Sequence, residues 1–381
     1  MIKNCNDLKK LNKTTMANTK IEFLSNKEKY ISIDKNRLEK LKQVSKKDID
    51  LECYNIILNE IINSKFDFII DPHEYNCLEN IEDKNKLDYL IYRFKFKEYP
   101  KRKINTSFPI HVLIEPASTC NLRCPMCFQS DKSFTKKEFM GKMDYSFYER
   151  IIDECVINKA KAITFGSRGE PTMHPKIKQI IEYAAGKFID IKLITNGTKM
   201  SDNLIHSIMK SDINLLQFSI DSEEKETYER LRKFAKYDEV LANVQRVQKI
   251  RKLYKNNKMF IRVSGVKVEE QQNEKSFCNF WEQYADEVVF KKYFERWDTY
   301  NNIPTKNLDT PCEYIWEKLY IWYDGKVNPC DADYKSYLSY GNVKSNSIKD
   351  LWNSKSRMSL IEKHLSKNRN KITPCDRCGI S

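Results

Sequence analysis

Between His111 and Phe290, short apolar runs alternate with amphipathic stretches. The runs are His111–Glu115, Ala162–Phe165, Ile189–Ile194, Leu215–Ile220, Phe260–Val266 and Glu287–Phe290. Their near-continuous apolar character suits strands buried on both faces. Between them, Tyr145–Asn158, Pro175–Lys187, Asp202–Lys210, Tyr237–Tyr254 and Glu274–Tyr284 carry apolar residues at helical spacing. Strands alternating with helices predict an α/β fold with a parallel sheet and right-handed crossovers. None of these strands is followed by a Gly-x-Gly-x-x-Gly turn. A partial or complete barrel is therefore favoured over a doubly wound dinucleotide-binding fold.

The flanks read differently. In residues 1–105, Leu38, Leu41 and Val44, then Ile56, Ile57, Ile61 and Ile62, recur at helical spacing. Asp71-Pro72 breaks that pattern, and the Lys-rich stretch Lys95 to Lys103 reads as a connector. No catalytic motif falls here, so the region suits a cap or a partner-binding segment. After about Arg296, Leu319–Tyr323 and Lys326–Pro329 flank Asp324-Gly325, a hairpin signal, and helical patterns follow at Ser347–Asn353 and Lys355–Leu365. The expected organisation is a helical region at 1–105, a barrel at 106–295 and a small module at 296–381, the last too small to build a large core.

Composition changes this picture in two respects. The net charge of +14 comes from lysines scattered along the chain, with no dense basic block. That is the pattern of a solvated surface, and nucleic acid is not an expected partner. No apolar run approaches the roughly 20 residues that span a bilayer. The start, Met1-Ile2-Lys3-Asn4-Cys5, has no secretory character. A cytoplasmic location without membrane attachment is expected. There, twelve cysteines point to metal or redox chemistry rather than to disulfides. Cys5, Cys53, Cys77, Cys155 and Cys278 stand alone and read as small buried hydrophobes. The other seven fall into two groups.

Cys120, Cys124 and Cys127 lie on one loop directly after the first barrel strand. In a parallel barrel, chemistry collects at the C-terminal ends of the strands. Three thiolates so placed can hold three corners of a [4Fe–4S] cluster and leave one iron open to a small molecule. A zinc site completed by His111 or an acid is the alternative, and with it a zinc protein that binds nucleic acid. The spacing Cys-x3-Cys-x2-Cys after the first strand resembles the signature of the radical S-adenosylmethionine (SAM) enzymes. Met126 stands where that family usually has an aromatic residue, and Phe128 follows the third cysteine. Gly166-Ser167-Arg168-Gly169-Glu170-Pro171 resembles the family's Gly-Gly-Glu-Pro motif, with Arg168 in place of the first glycine. Thr195-Asn196-Gly197 and Ser219-Ile220-Asp221 resemble its later contacts to SAM. The resemblance implies catalytic and cluster-binding roles for Cys120, Cys124 and Cys127. It implies SAM contacts from Met126, Phe128, Gly169, Glu170, Pro171, Asn196, Ser219 and Asp221.

Cys312, Cys330, Cys375 and Cys378 supply four thiolates, enough for a zinc ion or a fully ligated cluster. With Asp324-Gly325-Lys326-Val327-Asn328-Pro329-Cys330 and Gly341-Asn342-Val343, they resemble the SPASM/twitch extension of radical SAM enzymes, in its shorter form with one auxiliary cluster. The implied protein is a radical SAM oxidoreductase with a partial (β/α)6 TIM-like barrel, two [4Fe–4S] clusters and SAM. A one-electron donor such as flavodoxin or ferredoxin is implied as partner. The expected substrate is a small sugar, polyol or aminocyclitol derivative oxidised at a hydroxyl-bearing carbon. Peptide modification is the alternative.

Overall fold

The structure, a computed structural model, describes residues 31–379 apart from 66, 212, 256, 294–297 and 305–307. The polar start of the chain, Cys5 and the expected boundary near Arg296 lie outside the described residues. Chain contacts separate two units, whose described parts are residues 31–105 and 106–379.

In the first unit, strand β1 (Ile31–Ile33) leads to helices α1 (Lys35–Val44) and α2 (Leu51–Ile62). Strand β2 (Phe68–Ile70) then precedes α3 (Pro72–Asn80) and α4 (Asp83–Arg102). β1 and β2 pair antiparallel, a small ribbon that the helical spacing did not reveal. Aspartates start three of these helices. Asp34 accepts from Arg37 N, Asp50 from Cys53 N, and Asp71 forms a capping box with Glu74. The Asp71-Pro72 break is thus a helix start, with Pro72 in the first turn where its missing N–H costs nothing. The expected connector Lys95 to Lys103 is instead the end of α4. Its cations are held by carboxylates within the unit: Lys95 on Asp50, Lys97 on the buried Glu74, and Arg102 on Glu60. That pairing offsets the repulsion that makes a basic run look like a linker.

In the second unit, six parallel strands pair in sequence order. They are β3 (His111–Ile114), β4 (Ala162–Phe165), β5 (Asp190–Thr195), β6 (Leu215–Ser219), β7 (Phe260–Lys267) and β8 (Glu287–Lys292). The order never reverses, so the architecture is that of a barrel rather than a doubly wound sheet. The intervening helices are α5 (Tyr145–Ile157), α6 (Ile177–Ala184), α7 (Asp202–Lys210), α8 (Lys225–Leu231), α9 (Tyr237–Arg251) and α10 (Glu274–Trp281). Ile177, Ile180, Ile181 and Ala184 show why they pack, since that spacing puts all four on one buried face. On the strands, Val112, Ile114, Ile163, Phe165, Ile191, Leu193, Leu216, Phe218, Ile261 and Val263 join the helices in one core.

The C-terminal segment does not stand apart from this core. After α11 (Tyr314–Glu317), strand β9 (Leu319–Ile321) pairs parallel with β3. It turns through Asp324-Gly325 into β10 (Lys326–Asn328), which pairs with β11 (Gly341–Asn342). Among the described residues, nine strands make one open sheet with β8 and β11 at its edges. Ile315, Leu319, Ile321, Val327, and Trp352 of helix α12 (Ile348–Trp352) share the barrel's core, as does Leu360 of α13 (Lys355–Leu365). The expected small module is therefore a continuation of the barrel, which is how so few residues find a large core.

One buried ion pair fastens this join. Arg168, just past β4, donates Nε to Glu115 Oε1 at 2.8 Å and Nη2 to Oε2 at 2.5 Å, and both residues are buried. Arg168 Nη1 also donates to Tyr334 O at 2.8 Å, and its guanidinium lies 4.2 Å from the Trp322 ring centroid. Glu115 Oε2 accepts the Tyr323 N–H at 3.2 Å. Arg168→Met should therefore cost about 3–5 kcal/mol, because it leaves a buried carboxylate unpaired. Adding Glu115→Gln should recover part of that loss. Denaturant midpoints of the metal-free single and double variants measure both.

Candidate metal and cofactor centre

The loop after β3 is shaped by its own backbone. Leu122 inserts into the core, Arg123 N donates to Lys233 O, and Cys127 N donates to Cys124 O. Each of the three thiols is met by an N–H donor. Leu122 N points at Cys120 Sγ (3.4 Å), Gln129 N at Cys127 Sγ (3.5 Å) and Arg232 Nη1 at Cys124 Sγ (3.9 Å). Asn196 Nδ2 approaches Cys120 Sγ at 3.8 Å. Such donors suit thiolate sulfur that bears metal-bound charge. Burial pushes the Cys120 and Cys127 thiols up to about 12, helped by Glu170 for Cys120 and by Cys124 for Cys127. Burial raises Cys124 as well, while Arg232 opposes it. Such thiols stay protonated until a bound metal displaces the proton.

Around this loop the structure brings several candidate residues together. Glu170 is buried. Its Oε1 accepts from Thr172 N, Thr172 Oγ1 and Thr195 Oγ1 (3.1, 2.6 and 2.7 Å), and its Oε2 accepts from Asn196 N at 2.7 Å. Burial pushes its pKa above the ordinary carboxylate value, against the pull of these bonds. Asn196 Nδ2 also reaches Asn121 Oδ1 at 3.1 Å, so the ends of β4 and β5 are tied to the cysteine loop. Gly169 is needed because a Cβ there would lie 2.2 Å from Ala117 O; the close approach is to the chain itself. Pro171 opens a short turn capped by Glu170. Met126 is half-buried against the main core. Phe128 is buried and stacks on Tyr334 (centroids 5.2 Å apart).

At the end of β6, Ser219 is half-buried, and Asp221 accepts Val266 N at 3.1 Å and pairs with Arg232 Nε at 2.6 Å. Asp221 thus orients the cation that faces Cys124. Arg232 had no signal in the sequence, because its role depends on a partner across the loop. Gln129 was missed for the same reason; its Nε2 donates to Ser118 O and Arg168 O (2.8 and 2.6 Å). His111, the suggested zinc ligand, sits at the opposite end of β3 with Nε2 on Thr164 Oγ1 at 2.8 Å.

The second cysteine group also converges. Cys312 precedes α11, Cys330 follows β10, and Cys375 and Cys378 bracket a short turn near the end of the described chain. All four are free thiols. Burial drives Cys330 and Cys375 well above the ordinary thiol range, and the neighbouring thiols add to it. Burial raises Cys312 to about 11, opposed by Arg369. Cys330 packs beside Ala332 and Cys378. Four neighbouring thiols, Cys378 buried and the other three half-buried, whose charges would repel one another fit a shared metal centre. Cys53, Cys77, Cys155 and Cys278 are buried, and Cys77 Sγ lies 3.3 Å from His73 Nε2 rather than only among apolar groups.

An aromatic cluster packs against the first group. Phe128, next to Cys127, forms one buried cluster with Phe134, Tyr300 and Tyr334. Tyr334 Oη donates to Asp131 Oδ2, which Lys335 also reaches, both at 2.8 Å. The sheet face turned away from the helices is different in kind. Gln217, Ser219 and Ser264 alternate with buried apolar residues and stay half-buried, while Lys192 and Arg262, nearer the strand starts, pair with Asp190 and Glu287.

Comparison with known proteins agrees with this geometry. Residues 114–262 match the radical SAM superfamily, and residues 312–379 match SPASM, described as an iron-sulfur cluster-binding domain. The tungsten-containing aldehyde ferredoxin oxidoreductase cofactor-modifying protein of Pyrococcus furiosus is 24% identical over 297 residues, 64% of this chain and 81% of its own. Mycofactocin maturase MftC of Mycobacterium tuberculosis is 26% identical over 137 residues, 36% of this chain and 34% of its own. Among solved structures, anSMEcpe with bound AdoMet superposes with a TM-score of 0.52 at 17% identity, covering 71% of this chain and 88% of that one. Streptococcus suis SuiB bound to precursor peptide SuiA gives 0.50 at 19%, covering 79% and 77%. At those identities the structural likeness concerns the fold. The family match sets the zinc reading aside.

Gly169→Ala should lower stability by about 1–3 kcal/mol, the usual cost of overpacking. The added methyl must push back the Ala117–Ser118 backbone and strain the Glu170 N to Thr119 O bond beside it. The denaturant midpoint of the metal-free protein reports it.

Proposed function

The chain belongs to the radical SAM superfamily and carries a SPASM iron–sulfur domain, and from that premise we propose that it is a radical SAM oxidoreductase. Cys120, Cys124 and Cys127 would hold the [4Fe–4S] cluster with an open iron, and Cys312, Cys330, Cys375 and Cys378 a second, fully ligated one. When bound, the first cluster with SAM supplies a 5′-deoxyadenosyl radical that takes a hydrogen atom from substrate, and the second supplies an acceptor for the electron the substrate radical must lose. The observation that carries the oxidoreductase reading is this pair of thiol sets, three and four, with Cys120, Cys124, Cys127 and Cys375 on one core.

The protein's own part is to bind, orient and exclude water. Glu170 Oε2 takes a single N–H from the protein, which leaves capacity for the ammonium of SAM. Asn196 and Ser219 stand on neighbouring strand ends for the rest of that ligand. Met126, Gly169 and Pro171 would wall it, and Phe128 would act from behind by fixing Cys127. Asp221 holds Arg232 toward Cys124. The half-buried Gln217 and Ser264 suit a polar substrate. We place first a small sugar, polyol or aminocyclitol. Loss of hydrogen from its carbinol carbon, then of one electron and one proton, gives a carbonyl. A flavodoxin or ferredoxin would deliver the priming electron. A peptide substrate is supported as well by the relatives, since MftC is a maturase and SuiB was solved with its precursor peptide.

Two measurements test this. Anaerobically reconstituted protein should carry about 8 iron per chain, and the Cys120→Ala/Cys124→Ala/Cys127→Ala variant about 4, with no 5′-deoxyadenosine formed. Stoichiometric zinc without iron uptake would overturn the enzyme reading. Cys330→Ala should keep substrate-free SAM cleavage but lose oxidised product. Carbinol substrates and short peptides, followed by mass spectrometry for loss of two hydrogens, separate the two substrate classes. Full product from the Cys330 variant would reject the electron-acceptor role.

A further inference from the structure

Asn328 ends β10, two positions before Cys330, and is fully buried. Neither Oδ1 nor Nδ2 of its side chain has a hydrogen-bond partner in the protein. Buried amides are almost always paired, because dehydration without replacement is expensive. A leucine of similar shape would fill the site without that penalty, so the amide points to a partner the polypeptide does not itself provide.

Strand geometry shows which side it faces. Val327, the preceding residue, lies in the main core, so Asn328 projects from the opposite face. Asn328 pairs in register with Tyr320 of β9, and cross-strand partners share a face. Tyr320, with Leu113 and Trp322, forms the buried patch against which Cys330 packs. The orphan amide and the Cys330 thiol therefore share one face and one neighbour.

We propose that Asn328 donates its Nδ2 hydrogen to a sulfur of the iron–sulfur centre held by the second thiol set, and so raises that centre's reduction potential. This rests on the assignment of Cys312, Cys330, Cys375 and Cys378 made above. A fully ligated cluster presents acceptors, so the N–H end of the amide is the end that serves it. Hydrogen bonds to cluster sulfur stabilise the more negative, reduced form and shift the potential upward. For a centre that must accept an electron from a substrate radical, that is the useful direction. Asn328 is a positioning and tuning residue, since it touches neither substrate nor SAM.

The test uses the full chain with Cys120, Cys124 and Cys127 replaced by alanine, so that only the second centre takes up iron. Asn328→Leu is compared with Asn328 in that background by iron content, by a redox titration followed by electron paramagnetic resonance, and by denaturation of the metal-free form. The expected result is a metal-free variant at least as stable as its parent, because an unpaired buried amide is gone. Its loaded form should titrate at a more negative potential, or fail to retain iron. Full iron with an unchanged or more positive potential would overturn the proposal, as would a less stable metal-free variant, since the amide would then already be satisfied within the protein. A parent that takes up no iron would instead overturn the assignment of the four cysteines, and the proposal with it.

Discussion

The architecture of the barrel unit depends on a charge pair with almost no access to water. Glu115 leaves the end of β3, Arg168 leaves the end of β4, and the two meet in a bidentate contact. Burying both charges is costly and is compensated only by good geometry and complete hydrogen bonding. Here the compensation comes from Tyr334 O, Tyr323 N and the Trp322 ring, all in the C-terminal segment. The pair therefore cannot be satisfied by the six-stranded barrel alone. Positive φ at Ser167 (+97°) marks the backbone strain of the turn just before Arg168.

That tie sets where the chemistry stands. Gln129 donates to the carbonyls of Ser118 and Arg168 at once, so the loop bearing Cys120, Cys124 and Cys127 is registered against the Arg168 turn. Phe128 extends the same registration to Tyr334, in the loop that follows Cys330. Burial pushes the pKa values of the Cys120, Cys127 and Cys312 thiols up, and coordination, which replaces the proton, offsets that cost.

Some residues have a structural job beside the one their motif suggests. Gly169 yields room to Ala117 O, and Arg168 faces a carboxylate and an indole rather than the strands' open face. Asp221 spends one oxygen on Arg232. These assignments depend on partners contributed by other loops, so no local spacing announces them. The Lys95 to Lys103 stretch misled for the same reason: its charges are paired with Asp50, Glu74 and Glu60 from distant positions.

Local pattern by itself determined the alternation of strands and helices. The barrel strands begin and end within a residue or two of their apolar runs, because one face of each strand is buried against the helices. It also determined the two cysteine groups and the Asp324-Gly325 hairpin, whose chemistry or geometry is carried by adjacent residues. Only the tertiary structure decided that the C-terminal segment joins the barrel sheet through β9, that Arg232 faces Cys124, and that Asn328 is buried without a partner. Each of these is a pairing between residues far apart in the chain. Hydrophobic periodicity tells a segment which face to bury, but not which distant segment will cover it.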